Sequence, residues 1–212
     1  MLFRSDESIA RRIVLTGDVQ GLGVRPYLYR LAVETGVAGW VENTEAGVVA
    51  HVEGPRVQVE RFLERLGPEA PPRMRIDGIH CIAETIQGLS GFEIRESRRE
   101  GRPTAWISPD LPTCDDCLRE LVDAGDRRFH YPYLHCTQCG PRYSILRRLP
   151  YDRRGTTMAD WSLCDACRRE YENPADRRFH AETIACPRCG PTYRWSADGR
   201  PELRGVEAVA AA

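Results

Sequence analysis

Several things are missing from the 212-residue chain, and each absence narrows what it can be. No apolar run approaches the ~20 residues that span a bilayer, so no membrane partner is expected. The first residues, Met1-Leu-Phe-Arg-Ser-Asp-Glu-Ser8, have none of the apolar core of a signal peptide, which makes a cytoplasmic protein the default expectation. Charge of one sign is not in excess. With 30 basic and 31 acidic residues, the chain offers no net basic stripe, and no nucleic-acid partner is expected. Its glycine-rich stretch is followed by no Gly-Lys-Ser/Thr and by no third glycine, which excludes both common nucleotide loops.

Cysteine, by contrast, is plentiful. Eight of the nine cysteines fall in Cys-x2-Cys pairs, and in a reducing compartment that grouping indicates metal ligation rather than disulfides. Cys81 stands apart and is expected to be a small strand residue. The pairs obey a 50-residue repeat: Cys114-x2-Cys117-x18-Cys136-x2-Cys139 returns as Cys164-x2-Cys167-x18-Cys186-x2-Cys189. Asp126-Arg-Arg-Phe-His130 returns as Asp176-Arg-Arg-Phe-His180, and Cys139-Gly-Pro-x-Tyr143 as Cys189-Gly-Pro-x-Tyr193. This spacing predicts two tetrahedral Zn²⁺ sites of four cysteines each. Four protein ligands leave no open position for water, so the two zinc ions are expected to be structural, supplying folding free energy to a segment with little core. The spacing leaves open whether each repeat closes its own site or the pairs combine across repeats. His130 and His180 are expected to be structural. The Arg-Arg pairs, offset by nearby acids such as Glu120 and Glu170, suggest a scaffold of salt bridges.

The other informative stretch is Thr16-Gly-Asp-Val-Gln-Gly-Leu-Gly-Val-Arg-Pro-Tyr-Leu-Tyr-Arg30, a strand running through a glycine-rich loop into a helix. Gly21 and Gly23 let the backbone take positive φ, so that successive N–H groups converge on one concavity. Arg25 follows where the helix N-terminus adds its own free N–H groups, and Pro26 suits a first helical turn. The loop Val19, Gln20, Gly21, Leu22, Gly23, Val24, with Arg25, is therefore a candidate phosphate cradle.

Periodicity supplies the surrounding elements. A short strand is predicted at Ile13–Thr16, and a helix with Val24, Tyr27, Leu28, Leu31 and Ala32 on one face, closed by Gly36. Val37–Asn43 and the alternating run from Val48 to Glu53 form a hairpin, the latter strand with one buried face. Pro55 opens a second helix with Val59, Phe62, Leu63 and Leu66 as its stripe. A strand from Met74 to Ile86 with a bulge at Gly78 follows, then a short strand around Phe92 and Ile94. The order is β-α-β-β-α-β, an α+β, ferredoxin-like arrangement. The predicted organisation is a first domain over 1–98, a linker over 99–113, the cysteine region over 114–194 and a tail over 195–212.

Val19-Gln-Gly-Leu-Gly-Val-Arg-Pro-Tyr-Leu-Tyr-Arg-Leu-Ala32, with Gly36-Val-Ala-Gly-Trp-Val-Glu-Asn43, resembles the acylphosphatase signature, and specifically the N-terminal domain of the hydrogenase-maturation carbamoyltransferases, the HypF family. The double cysteine motif behind it resembles the same family. The resemblance implies that Arg25 binds phosphate and Asn43 orients the attacking water. It implies carbamoyl phosphate as substrate, and a carbamoyl-accepting hydrogenase-maturation protein (HypE-like) as partner, on the way to a cyanide ligand. It also implies that the chain is the N-terminal third of a larger enzyme, with a YrdC-like domain to follow the tail. This sequence departs from the acylphosphatase pattern at Asp18, usually basic there, and at Val24, usually aromatic. The alternative function is a non-catalytic, zinc-stabilised docking module with a vestigial phosphate pocket.

Overall fold

Ile9, Ile13 and Leu15 lie on one face of the first segment and bury it in the interior of a sheet. The computed structural model describes residues 7–99, 103–199, 202–205 and 207–208. Its first strand, β1 (Ser8–Asp18), is longer than the predicted Ile13–Thr16 core. It pairs antiparallel with both β3 (Gly47–Pro55) and β4 (Arg75–Glu84), and those two ladders carry the strand well past its apolar centre. With β2 (Ala38–Thr44) and β5 (Phe92–Ile94), the sheet order is β4-β1-β3-β2-β5. β5 runs parallel to β2 at the edge. The first four strands with helices α1 (Val24–Thr35) and α2 (Arg56–Leu66) form the predicted ferredoxin-like βαββαβ unit. The irregularity expected near Gly78 is present: β4 shifts register opposite Thr16 and Gly17.

Both helices cover one face of the sheet. Ile13, Leu15, Leu28, Val41, Val48, Phe62 and Leu66 are buried there in one core, and truncating a residue such as Phe62 in it costs about 3–5 kcal/mol. The opposite face of β3, predicted to be solvated, is buried too, and the reason is local. The segment after β4 folds back over it, with the Gln87 and Leu89 amides donating to the Glu53 carboxylate at 2.6 and 2.5 Å. His51 bridges Glu53 and Glu84 at 2.8 and 2.7 Å and stacks on Trp40. Burial by itself would raise the Glu53 pKa, but these hydrogen bonds outweigh it and hold the carboxyl below its ordinary range. Cys81 lies in β4, and it is exposed.

Past the sheet, each cysteine repeat is built alike. The first knuckle leads into a short helix, α3 (Asp115–Val122) or α4 (Asp165–Glu172), and the second knuckle returns beneath it. The apolar clusters here are small and consist largely of the cysteines themselves with Leu134, Tyr131 and Ile184. A two-stranded ribbon, β6 (Arg194–Trp195) and β7 (Leu203–Arg204), follows. The tail expected over 195–212 lies partly outside the described residues. No helix of the described residues is long and apolar enough to cross a membrane.

Candidate functional site: the glycine-rich loop under the cysteine repeats

The loop between β1 and α1 turns as its glycines require. Gly21 and Gly23 have φ of 75° and 78°, and Gly23 caps α1. The helix begins at Val24, so Pro26 occupies its first turn, where a missing N–H costs nothing. Alternation along β2 puts Asn43 on the same face as Val41, at the strand end beside the loop. The structure thus brings Val19, Gly21, Gly23, Val24, Arg25 and Asn43 around one cavity. Leu22 is buried as well. Gln20 instead points back into the sheet end, its amide donating to the carbonyls of Thr44 and Gly47 at 2.7 and 2.9 Å.

Apart from Pro26, the rest of that cavity comes from the cysteine region, which packs directly over the loop. Glu182 presents Oε1 to Arg25 Nη2 at 2.5 Å, with both side chains buried. Its other oxygen accepts from the Arg153 amide at 3.0 Å and from the Tyr171 hydroxyl at 3.1 Å. Burial raises the Glu182 pKa above the usual carboxylate range, and the Arg25 charge offsets part of that rise. Asn43 Nδ2 donates to the Tyr151 carbonyl at 2.7 Å, and the Tyr151 amide donates to Gln20 Oε1 at 2.7 Å. The Asn43 amide keeps its oxygen and a second N–H for another partner. The room left among these groups is about 20 Å³, enough for one water. On the far side of Glu182 and His180 opens a cleft of about 640 Å³, with Arg95, Arg99, Arg154 and Arg168 along its walls.

Asp18, the acidic departure at the mouth of the loop, accepts a short hydrogen bond from the Ser108 hydroxyl. Ser108 lies in the stretch read as a linker, and its hydroxyl stands 2.7 Å from the Gln20 carbonyl. The same stretch lies against the hairpin, where the amides of Thr104 and Ala105 donate to the Glu45 carbonyl at 2.9 and 2.8 Å.

The cysteine clusters settle the pairing left open above. Cys114, Cys117, Cys136 and Cys139 gather in one place, and Cys164, Cys167, Cys186 and Cys189 in another, so each repeat closes its own site. Neighbouring sulfurs are 3.6–3.9 Å apart in the first set and 3.6–3.8 Å in the second. Four sulfurs held at ~2.3 Å from a tetrahedral ion would lie about 3.8 Å from one another, so both sets fit such an ion. His130 and His180 take no part in either set.

The repeats are tied together by exchange. Arg127 and Arg128 of the first reach Cys167 of the second at 3.3 and 3.6 Å and pair with Glu170. Arg177 of the second reaches Cys117 of the first at 3.1 Å, and Arg177 and Arg178 pair with Glu120. Guanidiniums beside thiolates compensate their negative charge, and of these Arg128 is buried. The salt-bridge scaffold expected of the Arg-Arg pairs is present, and it runs between repeats.

Comparison with known proteins places this arrangement. Residues 11–94 match the acylphosphatase family, and residues 113–146 and 163–196 match the HypF finger. The carbamoyltransferase HypF2 of Cupriavidus necator is 44% identical over 160 residues, which is 74% of this chain and 20% of that protein. An acylphosphatase of Syntrophotalea carbinolica is 38% identical over 86 residues, covering 40% of this chain and 92% of its own length. A crystal structure of full-length HypF in the phosphate- and nucleotide-bound form superimposes with a TM-score of 0.85 at 38% identity, over 93% of this chain and 26% of that one. The chain belongs to the HypF carbamoyltransferase family. It carries the acylphosphatase domain and both fingers, and it spans about a fifth of the length of the curated HypF relatives it matches.

Three residues at the HypF-type loop escaped the sequence reading. Arg142, buried, donates to the Gly21 carbonyl and to the carbonyls of Cys139 and Thr137 at 2.9 and 3.1 Å, joining the first finger's knuckle to the loop. Its signal was a break in the repeat: the variable residue of Cys-Gly-Pro-x-Tyr is Arg142 in one copy and Thr192 in the other. Glu182 likewise stands where the first repeat has Pro132. Tyr151 lies between the repeats and carries no such mark.

Proposed function

We propose that this chain hydrolyses an acyl phosphate at the Arg25–Asn43 cavity, and that in the whole protein this step feeds carbamoyl transfer. The observation that carries the reading is the meeting of Arg25, Asn43, Gly21 and Gly23 around one cavity at the N-terminus of α1. Amides of the loop from Val19 to Val24 cradle the phosphoryl oxygens, and Arg25 supplies the fixed charge. The phosphoryl group takes the place of the Glu182 carboxylate beside Arg25. Asn43 orients a water, whose oxygen bonds to phosphorus as the bond to the acyl oxygen breaks. The acyl group leaves as its carboxylate, and the water's proton passes to phosphate. Such a leaving group needs positioning and charge stabilisation rather than a covalent intermediate.

The substrate fitting the family is carbamoyl phosphate, and the product is carbamate for delivery to a partner-protein cysteine in hydrogenase maturation. Each finger holds one structural Zn²⁺, with no open position for chemistry.

Phosphate release from carbamoyl phosphate tests the assignment. Replacing Arg25 by Ala alone would strand a buried carboxylate, so the informative variant is the double change Arg25→Ala with Glu182→Gln. It should lose on the order of a hundredfold in kcat and also weaken inhibition by inorganic phosphate. Asn43→Ala should lower kcat while leaving phosphate inhibition nearly unchanged, because placing a water matters only on the way to the transition state. Unchanged turnover in both variants would refute the assignment.

A further inference from the structure

We propose that the finger region completes the substrate site, with the Tyr151 hydroxyl and the His180 imidazole reading the acyl end of a small acyl phosphate that carries an N–H. This inference rests on the hydrolase reading above and names the part of the site that selects its substrate.

Tyr151 and His180 both line the cavity that holds Arg25 and Asn43. Tyr151 is 5% exposed, yet among the described residues its hydroxyl has no hydrogen-bond partner, and neither does the buried Nδ1 of His180. Buried polar atoms are rarely left unpaired, because each costs the desolvation of the group, so two around one cavity point to a ligand that pairs them.

Tyr151 is also held in place. Its amide is fixed by Gln20 and its carbonyl by Asn43, each at 2.7 Å. A Cβ added to Gly21 would lie 3.3 Å from the edge of the Tyr151 ring. The phosphate loop and the strand end therefore clamp a finger-region residue from both sides, which is the preorganisation a recognition group needs.

Charge decides which end of the substrate these groups face. The phosphoryl end carries the negative charge and is matched by Arg25 and the loop amides. Burial pushes the Tyr151 phenol up to about 12, and burial with the neighbouring Arg25 charge pushes His180 down to about 3. Both stay neutral across the working pH range, so they suit an uncharged, hydrogen-bonding acyl group. A carbamoyl N–H has a lone pair waiting for it at Tyr151, whereas an acetyl methyl group has nothing to donate.

Two stable phosphonates that differ only in this respect provide the test: phosphonoacetamide, with an amide NH₂, and acetonylphosphonate, with a methyl group in its place. Binding of each to the 212-residue chain is measured by calorimetry, with inorganic phosphate alongside. The parent should prefer phosphonoacetamide about fivefold to tenfold, the value of one neutral hydrogen bond. In Tyr151→Phe that preference should vanish, with affinity for acetonylphosphonate and inorganic phosphate held within twofold. A parent without preference overturns the inference, and that result needs no variant. Equal weakening of both phosphonates in Tyr151→Phe overturns it as well, since the hydroxyl would then serve the phosphoryl end or the packing. In either case inorganic phosphate still binds and the hydrolase reading stands. If the parent binds neither the phosphonates nor phosphate, the phosphate-site reading falls and takes this inference with it.

Discussion

At the scale of single residues, the molecule turns on one arginine with two possible partners. Arg25 is held by a buried carboxylate from another part of the chain, and under the proposed function an incoming phosphoryl group would compete with Glu182 for it. Replacing Glu182 by Gln removes the competing charge while keeping the shape and the hydrogen bonds from Tyr171 and Arg153. Inorganic phosphate should then inhibit at several-fold lower concentration. The pH dependence has a definite sign. Because burial raises the Glu182 pKa, protonation on acidification frees Arg25, so the gap between parent and Glu182→Gln should be widest at neutral pH and close as pH falls through that raised value. Inhibition constants for phosphate measured across pH 5 to 8 decide the point, after correction for phosphate's own ionisation. No gap at any pH would show that Glu182 does not compete, and a gap that stays constant would show that its carboxyl does not titrate in this range.

At the scale of elements, the fingers depend on one another. Arg128 belongs to the first repeat, but its guanidinium serves Cys167 and Glu170 of the second, and Arg178 serves Glu120 of the first. Partners outside the ligand set commonly change metal affinity by about 10–100-fold. Arg128→Met should therefore speed metal loss from the Cys164 cluster and spare the Cys114 cluster, while Arg178→Met should do the reverse. Chelator competition on cadmium-loaded protein, with each cluster followed by its own ¹¹³Cd resonance, separates the two. Faster loss from the cluster in the mutated residue's own repeat would contradict the exchange. The cysteine sets and the βαββαβ order were legible in the sequence because both rest on short-range periodicity, 2 and 3.6 residues for the elements and a fixed spacing for the knuckles. The buried outer face of β3 was not, since Val49, His51 and Glu53 alternate like a solvated strand and only the fold-back at Gln87 and Leu89 covers them. Tyr151 and Glu182 escaped for the same reason: their partners lie more than a hundred residues away in the chain.

At the scale of the whole molecule, two halves meet around one cavity that neither lines alone. The core of the first half, from Ile9 to Leu66 with Phe92 and Ile94 against it, takes no residue from the fingers. A fragment of residues 1–98 should therefore fold by itself and give a dispersed amide NMR spectrum. A collapsed spectrum, restored only by adding the finger region, would show that the core is not closed. The two candidate residues at the loop, Arg25 and Asn43, were readable from the first half. Their surroundings were not, because docking of one domain on another leaves no period in either sequence.

The arginine exchange between fingers has a consequence beyond this chain. A contact in which the first repeat gives the second what the second gives the first has an approximate two-fold axis, and such an interface is complementary to itself. One finger, copied and left unlinked, would carry both the arginines and the glutamate needed to pair with its twin. The tandem thus has the geometry of a homodimer whose subunits have been joined end to end. Once joined, the copies were free to diverge wherever the axis did not bind them, and Arg142 against Thr192, and Pro132 against Glu182, are two of the places where they did, with Arg142 and Glu182 both turned toward the loop between β1 and α1.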